Sequence, residues 1–182
     1  MNIYDALSND HRQFESRLDR LVSASKADDE TWKTTLDDLR RAVIAHAHAE
    51  EAVFYNALRE ADESKSLVLH GYAEHAAAET ELRTLSAAKA IDANWTGLME
   101  KFSKDLRHHI REEESSIYAA ARKVFSQAEA EQIGAAFERM KVETAKDGDS
   151  MVASTIDLIA NLLPPRWSAS FRKNLPNTRK TA

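Results

Sequence analysis

A chain of 182 residues is long enough to bury one core and short for two independent ones. It has no cysteine, which excludes disulfide scaffolds, zinc ribbons, iron–sulfur clusters and thiol catalysis, so any metal must be held by histidine and carboxylate. A net charge of −5 argues against a nucleic-acid partner, four glycines and three prolines point to an all-α protein, and the absence of a leader-like start or an apolar run near the ~20 residues of a membrane span predicts a soluble cytoplasmic protein.

Apolar residues recur at three- and four-residue steps, the period of an amphipathic helix. The first helix is predicted over residues 3–25, with Ile3, Leu7, Phe14, Leu18 and Leu21 inward. The second runs over about 29–61, carrying Leu36, Leu39, Val43, Phe54 and Leu58, and the third over 64–88, with Asp62 or Ser64 as its cap. The fourth starts after Asp92 and carries Trp95, Phe102, Leu106, Ile117 and Val124 to Phe125. Short polar connections at residues 26–28 and 91–93 predict antiparallel neighbours and an up-down-up-down four-helix bundle. A fifth, shorter helix over 128–145 completes a first unit of residues 1–146. Residues 146–149 read as a break and 150–163 as a last short helix. Pro164-Pro165 is expected to end it, leaving a mobile basic tail within the unit 147–182.

All four bundle helices repeat one element: His11-x-x-x-Glu15, His46-x-x-x-Glu50, His75-x-x-x-Glu79 and His109-x-x-x-Glu113. Residues four apart share a helix face. On the second helix the buried stripe reads Leu39, Val43, His46, Glu50, Phe54, and on the fourth Phe102, Leu106, His109, Glu113, Ile117. His75 falls between Val68 and Leu82, and His11 between Leu7 and Phe14. Buried carboxylates and imidazoles without partners cost several kcal/mol in desolvation. Polar interruptions at one level of four apolar stripes therefore call for something that joins them, and a dinuclear cluster of iron, manganese or zinc does so.

The segments HAHAEEAVFY and HHIREEESSIY resemble the two H-x-x-x-E-E blocks of hemerythrin-like HHE cation-binding domains, and NDHRQFE and AEHAAAE are similar to that family's first and third ligand segments. The resemblance runs from about residue 2 to 145. It implies a di-iron centre with His11 and His46 on one metal, His75 and His109 on the other, and Glu50 and Glu113 as bridges, Glu114 being the reserve bridge. The chain departs from the oxygen carriers of the family at Gly71, which stands one turn before His75 where they have a second histidine. An open position there is expected to take water, an anion, His70 through a π-bulge, or Tyr72.

Around these candidates, Glu15 and Glu79 are read as outer partners or solvent-facing. His48 and His108, about 200° and 100° off the stripe, are read as solvated neighbours. Glu51, Glu112 and Glu114 are read as a wet acidic face that helps to admit cations. The function expected is binding of, or reaction with, dioxygen, nitric oxide or peroxide, as sensor, scavenger or iron-handling module. The alternatives are a metal-dependent interaction module that docks a protein partner through its basic C-terminal tail, and a ferritin-like di-iron oxidase. The oxidase is disfavoured because no histidine here follows a glutamate by three residues.

Overall fold

The computed structural model describes residues 1–24, 31–147 and 153–174, and the described chain is helical without strands. Helix α1 spans Ile3–Ala24 and buries Ile3, Leu7, His11, Phe14, Leu18 and Leu21, the stripe expected of it. Helix α2, Trp32–Glu50, passes without a break into a π turn at Glu51–Tyr55 and the single turn α3, Asn56–Leu58. Helix α4 is Asp62–Ser86. Helix α5, Ala93–Glu112, likewise passes through a π turn, Glu113–Ile117, into α6, Tyr118–Val124. These segments make the four-helix bundle, in which α1 packs on α2 and α5, and α4 packs on α5 and α2.

The two π turns fall one residue after Glu50 and at Glu113, where regular helix was expected. Asn56 N–H donates to the Glu51 carbonyl and Tyr118 N–H to the Glu113 carbonyl, each five residues back. One extra residue in the turn rotates everything beyond it by about 100°; Phe54, Leu58, Ile117 and Ala121 lie in the core, and of each Glu-Glu pair the first residue is buried and the second stays partly exposed.

Asp92 caps α5 as expected, its carboxylate accepting from Trp95 N–H at 2.7 Å. The cap foreseen for the third helix is corrected: Ala61 stands at that position without a side-chain bond, and the Ser64 hydroxyl instead donates back to the Leu58 carbonyl at 2.6 Å, satisfying the end of α3. Residues 25–30, with the first expected connection, lie outside the described chain.

Helix α7, Gln127–Asp147, is longer than expected and runs through two residues of the foreseen break; Gly148-Asp149 lie outside the described residues. It lies across α1 and α2. Gly134 permits this contact, since a Cβ there would stand 2.7 Å from the Met1 carbonyl oxygen and 2.9 Å from the Ile3 nitrogen. Helix α8 is Ala153–Leu162.

Pro164-Pro165 ends α8 as expected, but residues 165–174, expected to belong to a mobile tail, are helical. Pro165 opens helix α9, Pro165–Asn174, in the position where its fixed φ suits a helix start and its missing N–H costs nothing. Trp167 and Phe171, one turn apart, are buried, Trp167 edge-on to Phe125 at 4.8 Å. Each contributes roughly 2–3 kcal/mol of apolar burial. Two of the basic residues assigned to the tail are also engaged, Arg166 with Glu129 at 2.8 Å and Arg172 with Asp157 at 3.2 Å. Residues 175–182 lie outside the described chain.

The apolar interior divides into two clusters. One gathers Ile3, Leu7, Phe54, Ile117 and Phe137 with α8 and α9, and the other gathers Phe14, Leu18, Leu36, Leu82, Trp95 and Phe102. A polar layer lies between them.

Candidate metal centre

That layer contains His11, His46, Glu50, His75, His109 and Glu113, all buried. Their donor atoms form two groups, each with its members within 4.8 Å of one another: His11, His46 and Glu113, and Glu50, His75 and His109. Each glutamate also reaches across to the other group. Glu113 lies 3.2 Å from His11 Nε2 and 3.8 Å from His109 Nε2, and Glu50 lies 3.3 Å from His75 Nε2 and 3.7 Å from His46 Nε2. The two carboxylates thus lie between the two pairs of imidazoles.

The far nitrogen of every ring meets a carboxylate. His11 Nδ1 is 2.9 Å from Glu114, His46 Nδ1 is 3.0 Å from Asp10, His75 Nδ1 is 2.8 Å from Glu51 and His109 Nδ1 is 2.8 Å from Glu74. A proton on Nδ1, donated to the carboxylate, leaves Nε2 as a bare lone pair facing the centre. His75 and His109 bring such lone pairs to within 3.2 Å of each other. His11 Nε2, His46 Nε2 and all four oxygens of Glu50 and Glu113 have no hydrogen-bond partner. Acceptors crowded together without a donor in a buried layer are costly, and cations relieve them. The donor set is the imidazole and carboxylate mixture that suits iron, manganese or zinc.

The electrostatics agree. Burial, then the neighbouring Glu113, pushes the Glu50 carboxyl well above the usual range; burial opposes ionisation of Glu113 too, but contacts with Glu50, His11 and His109 hold it low. Burial pulls His46 down to about 4 despite its bond to Asp10. For His11 the Glu113 and Glu114 carboxylates outweigh burial and raise it.

The sequence of each half of the bundle follows one scheme. An acid stands directly before a lone histidine, Asp10-His11 and Glu74-His75, and the next helix carries His-x-x-x-Glu-Glu, His46 to Glu51 and His109 to Glu114. Within each half the first acid orients the later histidine, and the last glutamate crosses to the other half's lone histidine. Asp10, Glu74, Glu51 and Glu114 were not foreseen in this role. Glu51 and Glu114 had been placed with the wet face, and Glu114 serves His11 and not as a bridge. Glu15 and Glu79 are surface residues beside Arg107 and Arg83.

The position opened by Gly71 is filled by Tyr55. A Cβ on Gly71 would lie 2.6 Å from the Tyr55 hydroxyl and 2.7 Å from its Cε2. The ring stacks on His75 with centroids 5.5 Å apart and planes at 4°, and its hydroxyl is buried without a hydrogen-bond partner. Burial, then the Glu50 and Glu113 carboxylates, raises that phenol well above its usual range. The two residues expected to compete for this place lie elsewhere. Tyr72 donates to the Glu51 carbonyl at 3.2 Å and packs edge-on to Tyr55, and His70 is exposed.

The sequence model of the hemerythrin HHE cation-binding domain matches residues 2–121. The chain belongs to this family. The match ends within α6, so the HHE domain here is the bundle with both π turns, and α7, α8 and α9 are additions to it. No curated protein and no solved structure matches the chain. One addition reaches the HHE centre: Lys141 on α7 donates to both oxygens of Asp10, at 2.7 and 2.9 Å, and so fixes the carboxylate that orients His46. Phe137, one turn earlier, stands edge-on to His46 at 5.4 Å. No described helix is long and apolar enough to cross a membrane.

Proposed function

We propose that this HHE domain holds a non-haem di-iron centre that binds or reacts with dioxygen, nitric oxide or peroxide, and serves as a sensor, scavenger or iron-handling protein. The observation that carries the reading is the convergence of four imidazole Nε2 atoms and two carboxylates, all buried, at one level of the bundle. In this assignment His11, His46, His75 and His109 are terminal ligands, and Glu50 and Glu113 lie between the two metal positions. When bound there, an iron pair supplies electrons and open coordination positions to a small oxidant. The protein's part is to hold the donors deprotonated and aimed, through the four Nδ1 bonds, and to wall the centre with Phe14, Val43, Phe102 and Ile110 along a cavity of about 450 Å³.

The third helix supports reactivity over reversible carriage. It brings one imidazole, and beside it Tyr55 offers a phenol hydroxyl that can donate a proton or hydrogen bond at the centre. The test is anaerobic iron reconstitution followed by optical and Mössbauer spectra before and after air, and after nitric oxide. About two irons per chain, oxidised by air within one or a few cycles, are expected. A chain that retains no iron would refute the centre, and repeated oxygenation and deoxygenation without ferric build-up would refute the reactive reading.

A further inference from the structure

The His-x-x-x-Glu element occurs twice more, at His70-x-x-x-Glu74 on α4 and His108-x-x-x-Glu112 on α5, and the buried centre uses only Glu74 from these pairs. The helices bring them together on the rim. His70 Nε2 is 3.5 Å from Glu74 Oε1 and 3.5 Å from Glu112 Oε2, and His108 Nε2 is 3.6 Å from the same Glu112 oxygen. We propose that His70, Glu74, Glu112 and His108 form a third, outer cation site at the mouth of the cavity, which captures a divalent first-row metal on its way to the buried pair.

The spacing is the first argument. Separations of 3.5–3.6 Å are too long for good hydrogen bonds. Donors about 2.1 Å from a tetrahedral cation stand roughly 3.4 Å from one another, which is the spacing found here. The second argument is the approach. His70, Glu74 and His108 line the same cavity as His75 and His109; of the other acids along it, Glu79 is paired with Arg83 and Glu81 and Asp105 with Lys101, which leaves Glu51 and Glu74, bonded to His75 and His109, as the acids of the approach. Carboxylates beside apolar walls concentrate counter-ions. The third is Glu74 itself, whose Oε2 orients buried His109 while Oε1 faces His70. One carboxylate thus connects the outer position to the inner one. The capture role rests on the reading of the buried layer as a metal pair; the outer site as a binding site does not.

Cobalt(II) titration of the chelator-treated full chain, followed by d–d absorption and calorimetry, tests the proposal. The expected result is two tight equivalents and a third, weaker one. His70→Ala with Glu112→Gln, both at the solvent-exposed rim, should remove the third equivalent, leave two, and slow inner loading at micromolar cobalt by about tenfold. Saturation of the wild-type chain at two equivalents, or a third that survives in the double variant, overturns the site; an unchanged loading rate overturns its capture role. The two readings separate in His46→Ala with His109→Ala, where a single His70-dependent equivalent should persist. If wild-type chain binds only that equivalent, the buried-pair reading fails and the outer site stands.

Discussion

Replacing Gly71 by alanine should act opposite in sign to the same change at Gly97, although both lie inside helices. At Gly97, on the exposed face of α5, a new Cβ meets nothing within 4 Å, so alanine's better helix propensity should stabilise the chain by about 0.5–1 kcal/mol. At Gly71 the Cβ arrives 2.6, 2.7 and 2.9 Å from three atoms of the Tyr55 ring system, which must retreat by most of an ångström to restore ordinary contact. That ring has nowhere to go: it is fully buried, stacked on His75 and flanked by Tyr72 and Phe54. Overpacking of this kind costs about 1–3 kcal/mol, against which the helix propensity returns about 1 kcal/mol. The net loss, about 1 kcal/mol at mid-range and at most about 2, should lower Tm by roughly 2–4 °C for each kcal/mol. Urea unfolding of the metal-free chain by far-UV circular dichroism, with m compared across wild type, Gly71→Ala and Gly97→Ala, measures both changes. A Gly71→Ala protein as stabilised as Gly97→Ala would show that Tyr55 does not occupy the space beside His75.

Four further outcomes follow from the centre. His46→Ala or His109→Ala should remove most of the bound iron, while His48→Ala, off the ligand face, keeps it; metal analysis after desalting decides, and equal losses would mean the faces are misassigned. Loading the metal-free protein at neutral pH should release protons, since Glu50 and His11 are both raised and must deprotonate to bind a cation; a weakly buffered indicator dye would detect this, and no release would contradict those shifts. Because His46 is depressed from 6.5 to about 4, its contribution to metal-free stability is full above pH 6.5 and is lost as the pH falls towards 4, by roughly 3 kcal/mol at most; a His46→Gln chain should show a flatter urea-midpoint profile over that range, and identical profiles would refute it. Lys141→Met should weaken retention of one iron and not both, because Lys141 touches only the acid behind His46; metal analysis showing parallel loss of the two would refute that asymmetry.

The inward histidines and the carboxylates beside them were legible because a polar residue in an apolar helical stripe stands out against a fixed period. Their partners were not. Asp10 and His46 are thirty-six positions apart, and which acid meets which ring depends on how helices pack, a long-range fact that periodicity does not carry. The Glu-Glu pairs were misread for a related reason: at 100° per residue Glu51 and Glu114 fall off the stripe, and only the Nδ1 atoms of buried rings on neighbouring helices give them work. A usable signal existed in the acid immediately before each lone histidine and the doubled glutamate after each paired one. Gly71 was noticed, but the ring that fills its space comes from another helix. Pro164-Pro165 does end α8, but the helix after it was missed although Trp167 and Phe171, four residues apart, already marked an apolar helical face.

The four Nδ1 bonds have a consequence for how the centre comes apart. His11 on α1 is tied to Glu114 after α5, His109 on α5 to Glu74 on α4, His75 on α4 to Glu51 after α2, and His46 on α2 back to Asp10 on α1. The ties run once around the bundle and close on themselves like a hoop on a barrel. Each stave is held by two of them, one to either neighbour, so no helix can turn its donor outward without opening both. Loosening at one donor is then felt by both neighbouring helices through the ties. Hydrogen exchange at the amides around His11, His46, His75 and His109 should rise together when any one tie is cut, on the far side of the bundle as well as the near.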